Sequence, residues 1–99
     1  MKVTIQSIHF TATEKLQAYI EKKLGKLEQF YNRIVDAEVY LKLDNPDGKE
    51  NKLVEIKVNV PGNTLMASDQ AATFEAATDT CVSKLKHQLE KHKEKNRAY

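Results

Sequence analysis

Apolar positions in this chain recur with two different spacings, and the switches between them divide it into six elements. In residues 2 to 7, KVTIQS, Val3 and Ile5 share one face and polar residues the other, as in a half-buried strand. Thr11 and Glu14 then stand in a T-x-x-E arrangement, whose hydroxyl and carboxylate can satisfy N–H groups left free in a first helical turn. The pattern predicts a helix from about Ala12 to Gln29, with Leu16, Ile20, Leu24 and Leu27 as its apolar stripe. Alternation returns in RIVDAEVYLKL, residues 33 to 43. There Val35, Ala37, Val39, Leu41 and Leu43 share one face, and Asp36, Glu38, Tyr40 and Lys42 the other.

The segment DNPDGKE, residues 44 to 50, carries the Asn-Pro and Asp-Gly pairs of a hairpin connection. A strand at 53 to 60 follows, with Val54, Ile56, Val58 and Val60 inward, then a turn at Pro61-Gly62-Asn63 and a shorter strand at 64 to 68. The last three strands therefore form an antiparallel meander whose apolar face needs a cover. A second helix provides part of it, beginning between Asp69 and Thr73 and running to about Lys95. Phe74, Cys81, Val82, Leu85 and Leu89 form its stripe. The order β-α-β-β-β-α predicts an α+β fold: a two-layer sandwich with a four-stranded sheet and both helices on one face.

Ninety-nine residues fit one domain, 1–99, with a single modest core. Cys81 is the one cysteine and cannot form an internal bridge, which fits a reducing compartment; its place in an apolar stripe predicts a buried, inert thiol. The N-terminus lacks the continuous apolar stretch of a signal peptide, and no run approaches the length of a membrane span. A cytoplasmic location without membrane association is the expectation. A monomer is also expected, because no apolar surface patch is evident.

Charge adds a polarity that the overall formal +2 conceals. Six of the sixteen Lys and Arg residues lie in residues 84 to 99, KLKHQLEKHKEKNRAY, opposed only by Glu90 and Glu94. Placing residues 100° apart shows that the cations are sorted. With Ile20 at zero, Lys15, Lys22 and Lys26 lie at roughly −140°, −160° and −120°, whereas Glu14, Glu21 and Glu28 lie near +120°, +100° and +80°. Mixed signs along one face would stabilise the helix itself, so segregation points to an external anion. On the second helix, Lys84, Lys91 and Lys95 occupy one shoulder of the stripe, with His87 beyond them, and Lys86, Lys93 and Arg97 the other. From Lys84 to Lys95 the helix rises about 16 Å, enough to follow successive phosphates. Cations so arranged suit a phosphate backbone and the shape of structured RNA, rather than base edges.

The chain resembles the ribosome hibernation-promoting factors, also called ribosome-associated inhibitors. KLGKLEQFYNRI at 23 to 34 and SKLKHQLEKHKEK at 83 to 95 carry the resemblance, which covers essentially the whole chain and points to the short class. It implies a fold similar in shape to double-stranded RNA-binding domains. It also implies docking on the small ribosomal subunit and its rRNA, in the channel for messenger and transfer RNA, with steric inhibition of translation and protection of idle ribosomes. Carried over position by position, the basic sites are Lys23, Lys26, Arg33, Lys84, Lys91 and Lys93. Lys22, Lys86, His87 and Lys95 join them as RNA-binding candidates, His87 standing where the family has arginine. The family's D-x-Y-A-A-I-D helix opening is Thr73-Phe74-Glu75-Ala76-Ala77-Thr78-Asp79 here.

Catalytic and metal chemistry find little support. His9, His87 and His92 lack zinc-ligand spacing, no serine sits in a nucleophile turn, and the three glycines are isolated. No enzyme activity, metal, cofactor or small-molecule substrate is expected. Asp44, Asp47 and Glu50 fit a solvated hairpin, and Tyr40 is an outward residue able to stack on a base. Two other functions would fit a basic amphipathic C-terminal helix: a module for an acidic protein partner, and a generic structured-RNA-binding domain.

Overall fold

The computed structural model describes residues 1–44 and 48–97, with the side chains of residues 95–97 outside that description. Its elements are β1 (Lys2–Ile8), α1 (Glu14–Phe30), β2 (Asp36–Leu43), β3 (Lys52–Val60), β4 (Asn63–Ala71) and α2 (Phe74–Arg97). One sheet has the order β1-β2-β3-β4. β2, β3 and β4 pair antiparallel as the turn signals predict, with Val39 opposite Ile56 and Ile56 opposite Ala67. β1 lies parallel to β2, Ile5 opposite Val39, because α1 intervenes as the crossover that a parallel pair requires.

Period-two residues of the three antiparallel strands and the stripes of both helices meet in one core. Ile20, Leu24, Val39, Leu41, Val54, Ile56, Val58, Cys81, Leu85 and Leu89 are all fully buried there. Each large aliphatic side chain so buried contributes about 1.5–3 kcal/mol. Both helices thus cover the same face of the sheet. Among the described residues, no helix is long and apolar enough to cross a membrane.

Several boundaries differ from the sequence expectation. The N-cap of α1 is Thr13, not Thr11: Leu16 N–H donates to Thr13 Oγ1 at 3.1 Å. Ala12 is buried and its carbonyl accepts from Gln17 Nε2; the helix begins two residues later than expected, and Glu14 sits in the first turn, near the positive end of the helix dipole. Val35, expected inward, is 59% exposed: the strand starts at Asp36, and Val35 lies at the sheet's end, held by its N–H to the Asn59 carbonyl at 2.8 Å. Leu43, at the other end of β2, is exposed as well.

β4 runs to Ala71, so Asp69 is a strand residue opposite Val54. Thr73 caps α2 instead, its Oγ1 accepting from Ala76 N–H at 3.1 Å. α2 continues to Arg97, and its buried face adds Ala77, Thr78 and His92 to the expected stripe, while Val82 is only half-buried. In the β2–β3 connection Asp44 N–H donates to the Asn51 carbonyl at 2.8 Å; Asn45, Pro46 and Asp47, the core of the expected turn, lie outside the described residues.

Two backbone positions steer the chain. Gly62 has φ +81°, the value a glycine supplies after proline in a tight hairpin turn. His9 also has positive φ, 66°, and bends the chain between β1 and α1, after which Phe10 stacks on Phe74 with ring centres 5.1 Å apart.

Candidate nucleic-acid interface

α1 and α2 pack side by side on the sheet, and their seam collects the cations. Lys23 and Lys26 from α1 and Lys86 from α2 line one groove with Asp79, Val82 and Ser83, a cavity of about 380 Å³. Its orientation follows from the sorting on α1. The acidic flank faces away, where Glu28 Oε2 pairs with the Met1 ammonium at 2.7 Å, while the basic flank turns toward α2.

Aromatic rings support the ammonium groups. Lys93 Nζ stands 4.5 Å and Lys86 Nζ 5.2 Å from the centre of the Phe30 ring, so one ring at the end of α1 carries two cations of α2. Lys23 Nζ lies 5.4 Å from the centre of the Tyr19 ring. Such contacts contribute about 0.5–1 kcal/mol each when exposed, and they hold long side chains in place. Asp79 is the acidic element of the groove: Tyr19 OH donates to its Oδ1 at 2.7 Å, and Lys23 Nζ is 3.5 Å from the same atom. The Tyr19 phenol is raised from its ordinary value, first by that hydrogen bond and then by desolvation and the charges of Asp79 and Glu75.

The other shoulder of α2 faces β4. Lys84 Nζ donates to the Ser68 carbonyl at 2.9 Å and lies 4.0 Å from Asp69, while Gln88 Nε2 donates to the Met66 carbonyl at 2.8 Å. Lys91 lines a separate cavity with Asn63, Leu65, Gln88 and His92. Six of the ten candidates therefore fall into two sets. Lys23, Lys26, Lys86 and Lys93 converge on the seam, whereas Lys84 and Lys91 stand on the β4 side. Exposed Lys22 sits further round α1, exposed His87 occupies the solvent side of α2, and exposed Arg33 follows α1 in the loop to β2. The Lys95 side chain lies outside the described residues.

Sorting the charges alone overlooked Phe30, Tyr19 and Asp79. On the wheel that places Ile20 at zero, Tyr19 and Phe30 fall at roughly −100° and −80°, on the flank of Lys26; with Leu85 at zero on α2, Asp79 falls near +120°, beside Lys86 at about +100°. The signal was present once aromatic and acidic residues are placed along with the lysines. The histidines diverge as their spacing predicts: His87 is exposed, and His92 is buried with its ring edge-on to Tyr31 at 5.7 Å. Cys81 is buried, its thiol donating toward the Val54 carbonyl at 3.5 Å. Desolvation, followed by the charge of Asp69, pushes its pKa up to about 12.

A mixed four-stranded sheet covered on one face by two helices, with lysines gathered at the helix seam, defines a compact α+β class. Solved structures share its fold. The N-terminal domain of Thermus thermophilus Protein Y superposes with a TM-score of 0.81 at 28% identity, covering 93% of this chain and 99% of that one. A ribosomal subunit interface protein from Coxiella burnetii has the same fold, with a TM-score of 0.84 at 22% identity over 94% of this chain and 98% of that one. The ribosome hibernation promoting factor of Pseudomonas putida is 32% identical over 98 residues, 99% of this chain and 92% of its own length. The chain belongs to the family described as Sigma 54 modulation protein / S30EA ribosomal protein, whose model matches residues 3–97.

Proposed function

We propose that this protein is a ribosome hibernation factor that binds rRNA of the small subunit in the channel for messenger and transfer RNA and blocks translation by occupying it. The observation that carries the proposal is the seam where Lys23, Lys26, Lys86 and Lys93 converge from two helices, in a chain whose family match spans nearly its full length. Four ammonium groups on a rigid helix pair offer a phosphate backbone a fixed set of positive charges. No bond need be made or broken. Excluding the two RNA ligands is sufficient for inhibition, and filling the channel keeps an idle ribosome intact. Lys22 on α1, Lys91 and His87 on α2 and Arg33 in the loop after α1 are further proposed contacts, as is Lys95, while Lys84, held at the β4 edge, contributes less.

Co-sedimentation with isolated small subunits at two salt concentrations tests the reading. Binding at low salt and release at high salt are expected, because phosphate contacts release counterions. Reversing Lys23, Lys26 and Lys86 together is expected to abolish binding. Undiminished binding by that variant, or equal affinity for any RNA duplex, would contradict it.

A further inference from the structure

An acidic side chain at the centre of a groove built for anions needs a reason, and Asp79 has such a place. Its carboxylate stands among Lys23, Lys26 and Lys86, 3.5 Å from the first, and the Tyr19 hydroxyl anchors it at 2.7 Å. Tyr19 and Lys23 lie one turn apart on α1 while Asp79 comes from α2, so the three-residue contact also bridges the helices. Asp79 is exposed, and nothing in its surroundings requires a carboxylate for burial or capping, since Thr73, six residues earlier, caps the helix.

We propose that Asp79 is a built-in competitor for the anion the seam receives, a specificity-determining residue that holds Lys23 until a phosphate displaces it. This rests on the proposed RNA-binding function and deepens it. The carboxylate cancels one of the groove's three positive charges in the free protein. A single weak phosphodiester gains little by entering, because it must break the Lys23–Asp79 contact and then lie near a negative charge. An RNA surface that engages the flanking lysines at the same time offsets that cost through its other contacts. The residue therefore lowers affinity for anions in general and leaves extended, correctly shaped RNA the preferred ligand.

The test compares Asp79→Asn, which keeps an acceptor for Tyr19 and removes the charge, with the unaltered protein on isolated small subunits and on an unrelated RNA duplex. Asp79→Asn is expected to bind the duplex about two- to fivefold more tightly, the range set by an exposed ion pair. The salt dependence on the duplex is expected to steepen by about one unit of slope. The gain should shrink when Lys23 is already Met, since the competition runs through that ammonium. Asp79→Ser, compared by thermal melting and then by binding, separates the charge from the side-chain shape. Unchanged or weaker duplex binding by both folded variants would overturn the proposal while leaving the ribosome-binding function standing. Failure of the unaltered protein to sediment with small subunits would overturn both.

Discussion

The Phe30 ring carries Lys93 Nζ at 4.5 Å from its centre and Lys86 Nζ at 5.2 Å. A residue from the end of α1 thereby fixes two cations of α2, and the seam is more ordered than lysines on bare helix would be. Phe30→Leu keeps apolar bulk but removes the π face. It is expected to weaken ribosome binding about two- to fivefold, whereas Phe30→Tyr is expected to bind as the parent does, both read by sedimentation at fixed salt.

Lys84 and Lys86 are two positions apart yet serve different neighbours. Lys86 lines the seam, while Lys84 donates to the Ser68 carbonyl of β4. Lys86→Met is therefore expected to reduce small-subunit affinity and its salt slope more than Lys84→Met does, and equal losses would show that Lys84 leaves the strand to reach RNA.

The Cys81 thiol, pushed up to about 12 by burial, is expected to resist iodoacetamide at pH 8 and to react only after denaturant unfolds the chain. Its raised folded value stabilises the fold fully below the thiol's ordinary titration. That contribution is lost as pH climbs from there toward about 12, so unfolding midpoints should fall on the alkaline side.

The α2–Tyr19 contact has a spectroscopic signature. The Tyr19 phenol is raised chiefly by its hydrogen bond to Asp79, so Asp79→Ala, which removes both the acceptor and the charge, is expected to lower its alkaline titration, followed by ultraviolet difference absorbance. An unmoved titration would show that the bond is absent in solution.

Gly62 has φ +81° and open space around the position a side chain would take. Gly62→Ala is therefore expected to cost about 1–2 kcal/mol of stability from the backbone alone, measured by urea unfolding, with no change in ribosome binding after correction for folded fraction.

Much of this architecture is legible in the sequence. Ile20, Leu24, Val39, Ile56 and Leu85 announce their burial because spacings of two and of three to four residues have distinct geometric causes. Val35 obeys the same alternation yet faces solvent, since a pattern within one segment cannot say how far the covering helices reach. Thr11 and Thr13 compete for one cap, and the Leu16 N–H bond to Thr13 Oγ1 decides between them. The parallel pairing of β1 with β2 is likewise a tertiary choice, invisible in either strand alone.

The candidate site divides along the same line. The wheel separates the basic flank of α1 from its acidic one, and the structure turns that basic flank toward α2. It does not reveal that Lys84 spends its hydrogen bond on a strand carbonyl, because that depends on how closely α2 passes β4. Nor did a search for cations single out the rings and the carboxylate that organise them.

Lys84 and Gln88 reach past the helix to the Ser68 and Met66 carbonyls, at positions of β4 whose hydrogen-bonding groups point away from β3. They occupy acceptors that another chain could use to extend the sheet. Fraying of α2 would thus do more than loosen one helix: it would bare a sticky margin, and molecules crowded together would begin to join side to side.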